Sequence, residues 1–326
     1  MKKSVAWGLF ILLILLAASG CSSSFPEDAE GGLAEDEQKE IQSAGEFPLT
    51  VEDYFGRQVE ILQKPERIIS LAPSNTELLF ALGLEKRIVG VTEYCNFPPE
   101  ALDKPKAGSF SEPYLEQIIS LQPDLVVASE LLVTGEVLEQ LEGLDFPVLV
   151  LHPSGIEEVC QVLELLGAVT GEKEKAAGLI TEMEARLAAV QEKLQQLPAG
   201  ERVRVYYEVY ADPLMTAGSI SVIHEIIGKA GGENIFADVE TAFPRVSPEA
   251  VIERDPEIIL YSDQHGSEGT FDQEITNRPG WETISALQEE RIFGLNADKF
   301  TRPGPRLAEA VEELAKIFYP ELWPEP

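Results

Sequence analysis

Three imidazoles, His152, His224 and His265, are all the chain has, and none stands two to four positions from another histidine or a cysteine. Transition-metal sites are built from such clusters. Each histidine therefore reads as a loop or surface residue, and no metal site is expected. Nucleophilic and phosphate chemistry find no better support. There is no Gly-x-Ser-x-Gly elbow, no phosphate-binding loop and no dinucleotide-binding glycine fingerprint. The segment Gly228-Lys-Ala-Gly-Gly232 comes near the last, but it follows a helical pattern where the fingerprint would open one. No catalytic constellation is visible, so an enzyme is not expected, and no cofactor.

What the chain does offer is chemistry for binding. Aromatic and polar residues stand just beyond the segments that read as strands. They are Asn75, Tyr94, Phe97 and Phe110 in the first half, and Met215, Phe243, Phe300 and Arg302 in the second. Open α/β sheets bind ligands beyond the carboxyl ends of their strands. Two such sets facing across a cleft would sandwich a large, flat, partly apolar ligand.

A second pattern is a repeat. Glu116-Gln-Ile-Ile-Ser-Leu-Gln-Pro-Asp-Leu-Val-Val and Glu249-Ala-Val-Ile-Glu-Arg-Asp-Pro-Glu-Ile-Ile-Leu both read as a short helix, a proline turn, an acid and a buried strand. The leading glutamate stands seven residues before Pro123 in one and Pro256 in the other. The helix dipole favours an acid at a helix start. A repeated surface role and a repeated helix start both account for the pair.

These residues need a frame. Gln58–Leu62 alternates weakly, as an edge strand does. Short apolar strands are predicted at Arg67–Leu71, Ile88–Val91, Asp124–Ala128 and Pro147–Leu151. Pro73-Ser74-Asn75 reads as a break before a helix from Thr76 to Leu82. Strands alternating with helices imply parallel βαβ units. From Ala176 the apolar positions Ile180, Met183, Leu187, Val190, Leu194 and Leu197 recur at alternating intervals of three and four, one stripe along a long helix. Pro198-Ala199-Gly200 ends it. The pattern then restarts with strands at Val203–Tyr207, Glu257–Tyr261 and Arg291–Leu295, and helices at Ser221–Ala230 and Pro305–Tyr319. The predicted fold is α/β: two parallel-sheet lobes bridged by one long rigid helix, with the ligand cleft between them. The lobes span 47–170 and 199–326, and the connecting helix spans 171–198.

The amino terminus reads as an export signal. Lys2 and Lys3 precede an apolar run from Leu9 to Ala18, too short to span a bilayer comfortably. Ala18-Ser19-Gly20-Cys21 then has the form of a lipobox, with Ala18 where leucine is commoner, so 1–20 is predicted to be removed and Cys21 lipidated. Acyl chains on one cysteine hold a protein firmly, at about 0.8 kcal/mol per buried CH₂. Residues 21–46 are rich in Ser, Gly, Asp and Glu and read as a flexible acidic tether. A net charge of −32 argues against nucleic acid or an anionic membrane surface as partner. Cys95 and Cys160 form no disulfide framework, although a single bridge between them is open.

The segments RIISLAPSNTELLFALG, VGVTEYCNFPPEA, LEQIISLQPDLVVAS, GGENIF, FPRVSPEAVIERDPEIIL and RPGPRLAEA, in that order and spacing, resemble the solute-binding proteins of bacterial ABC importers for vitamin B12, siderophores and haem. The resemblance runs from about Arg67 to near the carboxyl terminus and implies two α/β lobes on one rigid helix. It implies an extracytoplasmic monomer that binds a corrinoid or an iron complex and delivers it to a permease dimer with its ATPase. Family members dock on the permease through one glutamate per lobe, and these match Glu116 and Glu249. In the corrinoid members aromatic residues line the cleft. Tyr94 agrees in type, Phe110, Phe243 and Ser129 stand where tryptophan is found, and Met215 replaces a phenylalanine. A ferric siderophore is the alternative ligand, with Arg245, Arg302 and Arg306 to hold its charge. Haem is another, with Tyr94 as its axial ligand. A lipoprotein sensor or scaffold without a transport role is the reading outside this class.

Overall fold

The computed structural model describes residues 47–109, 112–130, 135–144, 146–198, 200–263 and 271–324. The export signal, Cys21, the tether, Phe110 and His265 lie outside the described residues. The first lobe opens with a hairpin, β1 (Leu49–Glu52) antiparallel to β2 (Gln58–Ile61). Five parallel strands follow: β3 (Ile68–Leu71), β4 (Ile88–Thr92), β5 (Lys106–Gly108), β6 (Leu125–Ser129) and β7 (Val148–Leu151). They lie in the order β5-β4-β3-β6-β7. Helices α1 (Pro73–Ala81), α2 (Leu115–Leu121) and α3 (Glu136–Glu142) lie in crossovers, α4 (Ile156–Thr170) follows the last strand, and together they cover both faces. This is why the central strands read as unbroken apolar runs rather than alternating ones. Ile68, Leu125, Val127 and Leu149 enter one core; Ile69, Val126, Ala128 and Val150 enter another on the opposite face.

Helix α1 starts at Pro73, three residues before the predicted start. Proline fits the first helical turn, where its fixed φ suits the helix and its missing N–H has no partner to lose. The proline that reads as a break is thus the beginning of the element.

Helix α5 (Lys173–Leu194) carries the chain from the first lobe to the second, packing on α4 and on a later helix of the second lobe. Its 22 residues span about 33 Å at 1.5 Å per residue. Ala176, Met183 and Val190 are its buried residues, while Leu179, Ile180, Leu187 and Leu194 are partly buried against the same core. The helix stops at Leu194, and Leu197 reaches the core from beyond its end.

The second lobe holds β8 (Arg204–Ala211), β9 (Leu214–Thr216), β10 (Glu233–Asn234), β11 (Ile258–Asp263) and β12 (Ile292–Asn296). Four are parallel, in the order β10-β8-β11-β12, and β9 folds back antiparallel on β8. The second sheet is therefore not wholly parallel. Its helices are α6 (Val222–Lys229), α7 (Pro248–Arg254), α8 (Phe271–Thr276), α9 (Ser285–Gln288), α10 (Ala297–Thr301) and α11 (Leu307–Phe318). The Oγ of Ser221 caps α6 by accepting from the N–H of His224 at 3.1 Å. Helix α11 is the second-lobe partner of α5. Val205, Tyr207, Ile258 and Leu260 share one hydrophobic core with the first lobe and the connecting helix, and the described residues form one compact unit.

Candidate functional site

The two lobes repeat a local structure around the paired glutamates. Helices α2 and α7 each have seven residues, and each ends on a left-handed residue, Gln122 (φ 46°) and Asp255 (φ 40°). A proline and an acid follow in both. The carboxylate of Asp124 accepts from the N–H of Arg67 at 2.8 Å, and that of Glu257 accepts from the N–H of Arg204 at 2.8 Å. The two arginines precede or open the equivalent strands β3 and β8, and their guanidiniums reach the carboxyl ends of α2 and α7, at Leu121 and Arg254. Glu116 and Glu249 both lie exposed in the first turns of these helices. The repeat is thus one of backbone and hydrogen bonding as well as sequence.

The predicted binding residues fall into three groups. Tyr94, after β4, is 48% exposed, and Phe243 in the second lobe is 40% exposed. Met215 is half-buried on β9, and a bridge joins it to Arg245, so Met215, Phe243 and Arg245 lie together on one rim of the second lobe. Arg245 is exposed and has no ion-pair partner among the described residues.

Asn75 and Phe300 lie deeper than a surface ligand can reach. Asn75 is buried in the first turn of α1, and its Nδ2 has no hydrogen-bond partner among the described residues. Phe300 is fully buried and belongs to the hydrophobic core shared by the lobes. It is a packing residue, because α10 turns that side of its helix inward. Cys95 is likewise buried, in contact with the hydroxyls of Thr76 and Thr92 at 3.1 Å each. Cys160 is separate from it, and both thiols are unbridged.

The third group is locked in a network between the lobes. Arg302 donates to the carboxylate of Glu77 on α1 at 3.3 Å and to Oδ1 of Asn96 at 2.6 Å, and it pairs with Asp298 at 2.7 Å. Arg306 grips Glu77 with two bonds, at 2.8 and 2.7 Å, and lies 3.9 Å over the ring of Phe97. Bidentate guanidinium–carboxylate geometry of this kind is both strong and directional. Burial pushes the Glu77 carboxyl above the usual range against the opposing pull of Arg306 and Arg302. Arg302 and Arg306 are therefore not available to an incoming anion. Phe97 faces a cavity of ≈ 440 Å³ beside this network, with Phe80, Pro98 and Pro305 in its wall. That cavity follows α1 toward Glu85, at the amino end of β4, and not the strand ends. A second link between lobes joins the N–H of Ile156, at the start of α4, to Oε2 of Glu225 on α6 at 2.9 Å.

One exposed aromatic group has no counterpart among the sequence expectations. The turn between β1 and β2 is pinned along β7. The N–H of Tyr54 donates to the carbonyl of Val150 at 2.9 Å, and the N–H of Val150 donates to Asp53 Oδ2 at 3.3 Å. Asp53 is itself buried and accepts from the N–H groups of Phe55 and Arg57 at 3.0 Å. Tyr54 (52% exposed) and Phe55 (43%) are thereby held at the carboxyl end of β7, where the ring of His152 lies 4.7 Å from that of Tyr54. The segment Asp53-Tyr-Phe-Gly56, with Gly56 at φ 73°, carries a local turn signal but none for the approach to β7.

Residues 68–299 match the model of a family described as periplasmic binding protein. The chain belongs to that family. It is 32% identical to the ABC transporter substrate-binding lipoprotein YvrC of Bacillus subtilis over the full length of both chains. Among solved structures, the periplasmic vitamin B12-binding protein of Vibrio cholerae is 29% identical, with a TM-score of 0.66 over 80% of this chain and 99% of that one. The periplasmic haem-binding protein of Roseiflexus sp. RS-1 is 28% identical, with a TM-score of 0.70 over 79% of this chain and 99% of that one. This periplasmic binding protein is a substrate-binding component of the ABC-transporter type, not an enzyme.

Proposed function

We propose that the chain captures a corrinoid such as cobalamin outside the cytoplasm and delivers it to the permease of an ABC importer. The observation that carries the ligand class is what the strand ends expose. They present the rings of Tyr94, Phe243, Tyr54 and Phe55, whereas two of the three arginines suited to an anionic ferric siderophore are held by Glu77. Aromatic faces suit a broad, partly apolar macrocycle. Arg245 is left for a single anionic group such as a phosphate on the ligand. The vitamin B12-binding relative supports the same reading. Haem is the second reading, favoured by the exposed imidazole of His152 beside two of these rings.

Calorimetric titration with cyanocobalamin tests the assignment. Saturable one-to-one binding is expected. Heat with a ferric siderophore and none with any corrinoid would transfer the assignment.

Glu116 and Glu249 are the permease contacts in this reading, and Cys21 the lipid anchor. Incorporation of labelled palmitate into the chain, lost in Cys21→Ser, is the expected sign of anchoring; equal labelling of the variant would place the anchor elsewhere.

A further inference from the structure

The loop after β4 carries Tyr94, and it is fastened from both lobes. Cys95 turns inward, where its sulfur meets the hydroxyls of Thr76 and Thr92, so the first lobe holds the loop from beneath. Asn96, the next residue, reaches the other way. Its Nδ2 donates to Oδ2 of Asp298 at 2.8 Å, and its Oδ1 accepts from Nη1 of Arg302 at 2.6 Å. Asp298 and Arg302 pair with each other at 2.7 Å, one in the first turn of α10 and the other at its carboxyl end. The three side chains thus close a ring of polar contacts across the lobes. The same guanidinium reaches the carbonyl oxygen of Tyr94 at 3.4 Å.

This ring requires the residue type found at 96. A primary amide has donors on one atom and an acceptor on the other, so it faces a carboxylate and a guanidinium at once. Asn96→Asp would set two carboxylates against each other, and Asn96→Ala would supply neither bond. No member of the ring has to touch a ligand for the effect to arise. What the ring fixes is the backbone on which Tyr94 stands, and the Tyr94 side chain is among the large apolar groups left exposed. A binding group held in place before the ligand arrives loses less freedom on binding. We infer that Asn96 is a positioning residue: it ties the Tyr94 loop to the second lobe and so sets the place of the Tyr94 ring against the ligand. The inference rests on the proposed function, with Tyr94 as a ligand contact. It gives a bond between the lobes a share in affinity.

A double-mutant cycle in the full-length protein in detergent tests this, read by calorimetry with cyanocobalamin. Asn96→Ala should weaken binding about tenfold in the otherwise unchanged chain and cause no further loss in the Tyr94→Ala background. If Asn96→Ala costs the same affinity in both backgrounds, or none in either, the inference is wrong and the corrinoid function stands. If cyanocobalamin does not bind, the corrinoid reading fails, and fluorine NMR of the ligand-free protein decides the positioning. With meta-fluorotyrosine in place of Tyr94, one narrow line is expected, and Asn96→Ala and Asp298→Ala should each broaden or split it. Asp298 lies 202 residues from Asn96, so only contacts through space carry its effect to Tyr94. A line unchanged in either variant ends the inference.

Discussion

Glu77 shows how far a residue's role depends on depth. It is almost wholly buried, and its charge is balanced by Arg302 and Arg306 from the other lobe. Removing one member of a buried ion network leaves the others desolvated and unpaired, which costs about 3 kcal/mol or more. Glu77→Ala should lower unfolding free energy in urea by that order; a loss too small to measure would show that the network contributes nothing. Tyr207 gives a pH signature. It is fully buried against Ser262, and burial pushes its phenol up to about 12. An unfolded chain ionises it near pH 10, so its contribution is complete below 10 and is lost as pH rises toward 12. That loss approaches about 3 kcal/mol. Stability measured across this window should fall less steeply in Tyr207→Phe. Depth is also what the sequence does not encode. Tyr94 and Phe300 both follow predicted strands, yet one is exposed and the other is core. Arg302 is locally no different from a ligand-binding arginine; its partner Glu77 stands 225 residues away.

At the scale of elements, much was legible, because periodicity and proline turns are local. β3, β4, β6, β7, β8, β11 and β12 lie where apolar runs place them, within a few residues. The repeat around Pro123 and Pro256 could be read from spacing, and its hydrogen bonds to Arg67 and Arg204 have the same pattern in both lobes. Strand β9 was not legible: Leu214–Thr216 is three residues long and depends on β8 for its pairing. The β1–β2 tip was missed for a related reason, since what brings Tyr54 to His152 is bonding to β7 some hundred residues on. The equivalent helices α2 and α7 carry one exposed acid each, and such a pair suits a two-fold symmetric partner. Charged rims of this kind set orientation more than affinity. Glu116→Arg with Glu249→Arg should therefore abolish uptake in proteoliposomes while ligand affinity of the isolated protein is unchanged. If the acids serve only their helix dipoles, uptake persists and stability falls by about 0.3–1 kcal/mol for each.

At the scale of the molecule, the described residues hold the lobes together at three places: by α5, by Glu77 and Asn96 with Asp298, Arg302 and Arg306, and by Glu225 with the start of α4. Gly178 lies in α5 but on its exposed face, with open space around it, and does not interrupt the helix. A frame tied at three points resists hinge closure. Small-angle scattering should give the same radius of gyration with and without saturating ligand, and a clear contraction would mean that the ties open. The same connectivity has a bearing on synthesis. Every strand of the first sheet lies before residue 152 and every strand of the second after residue 203. The first sheet can assemble while the rest of the chain is still being made, yet its Glu77 must wait for residues 302 and 306. A product ended short of Arg302 would keep both sheets' strands and leave Glu77 without either of its arginines.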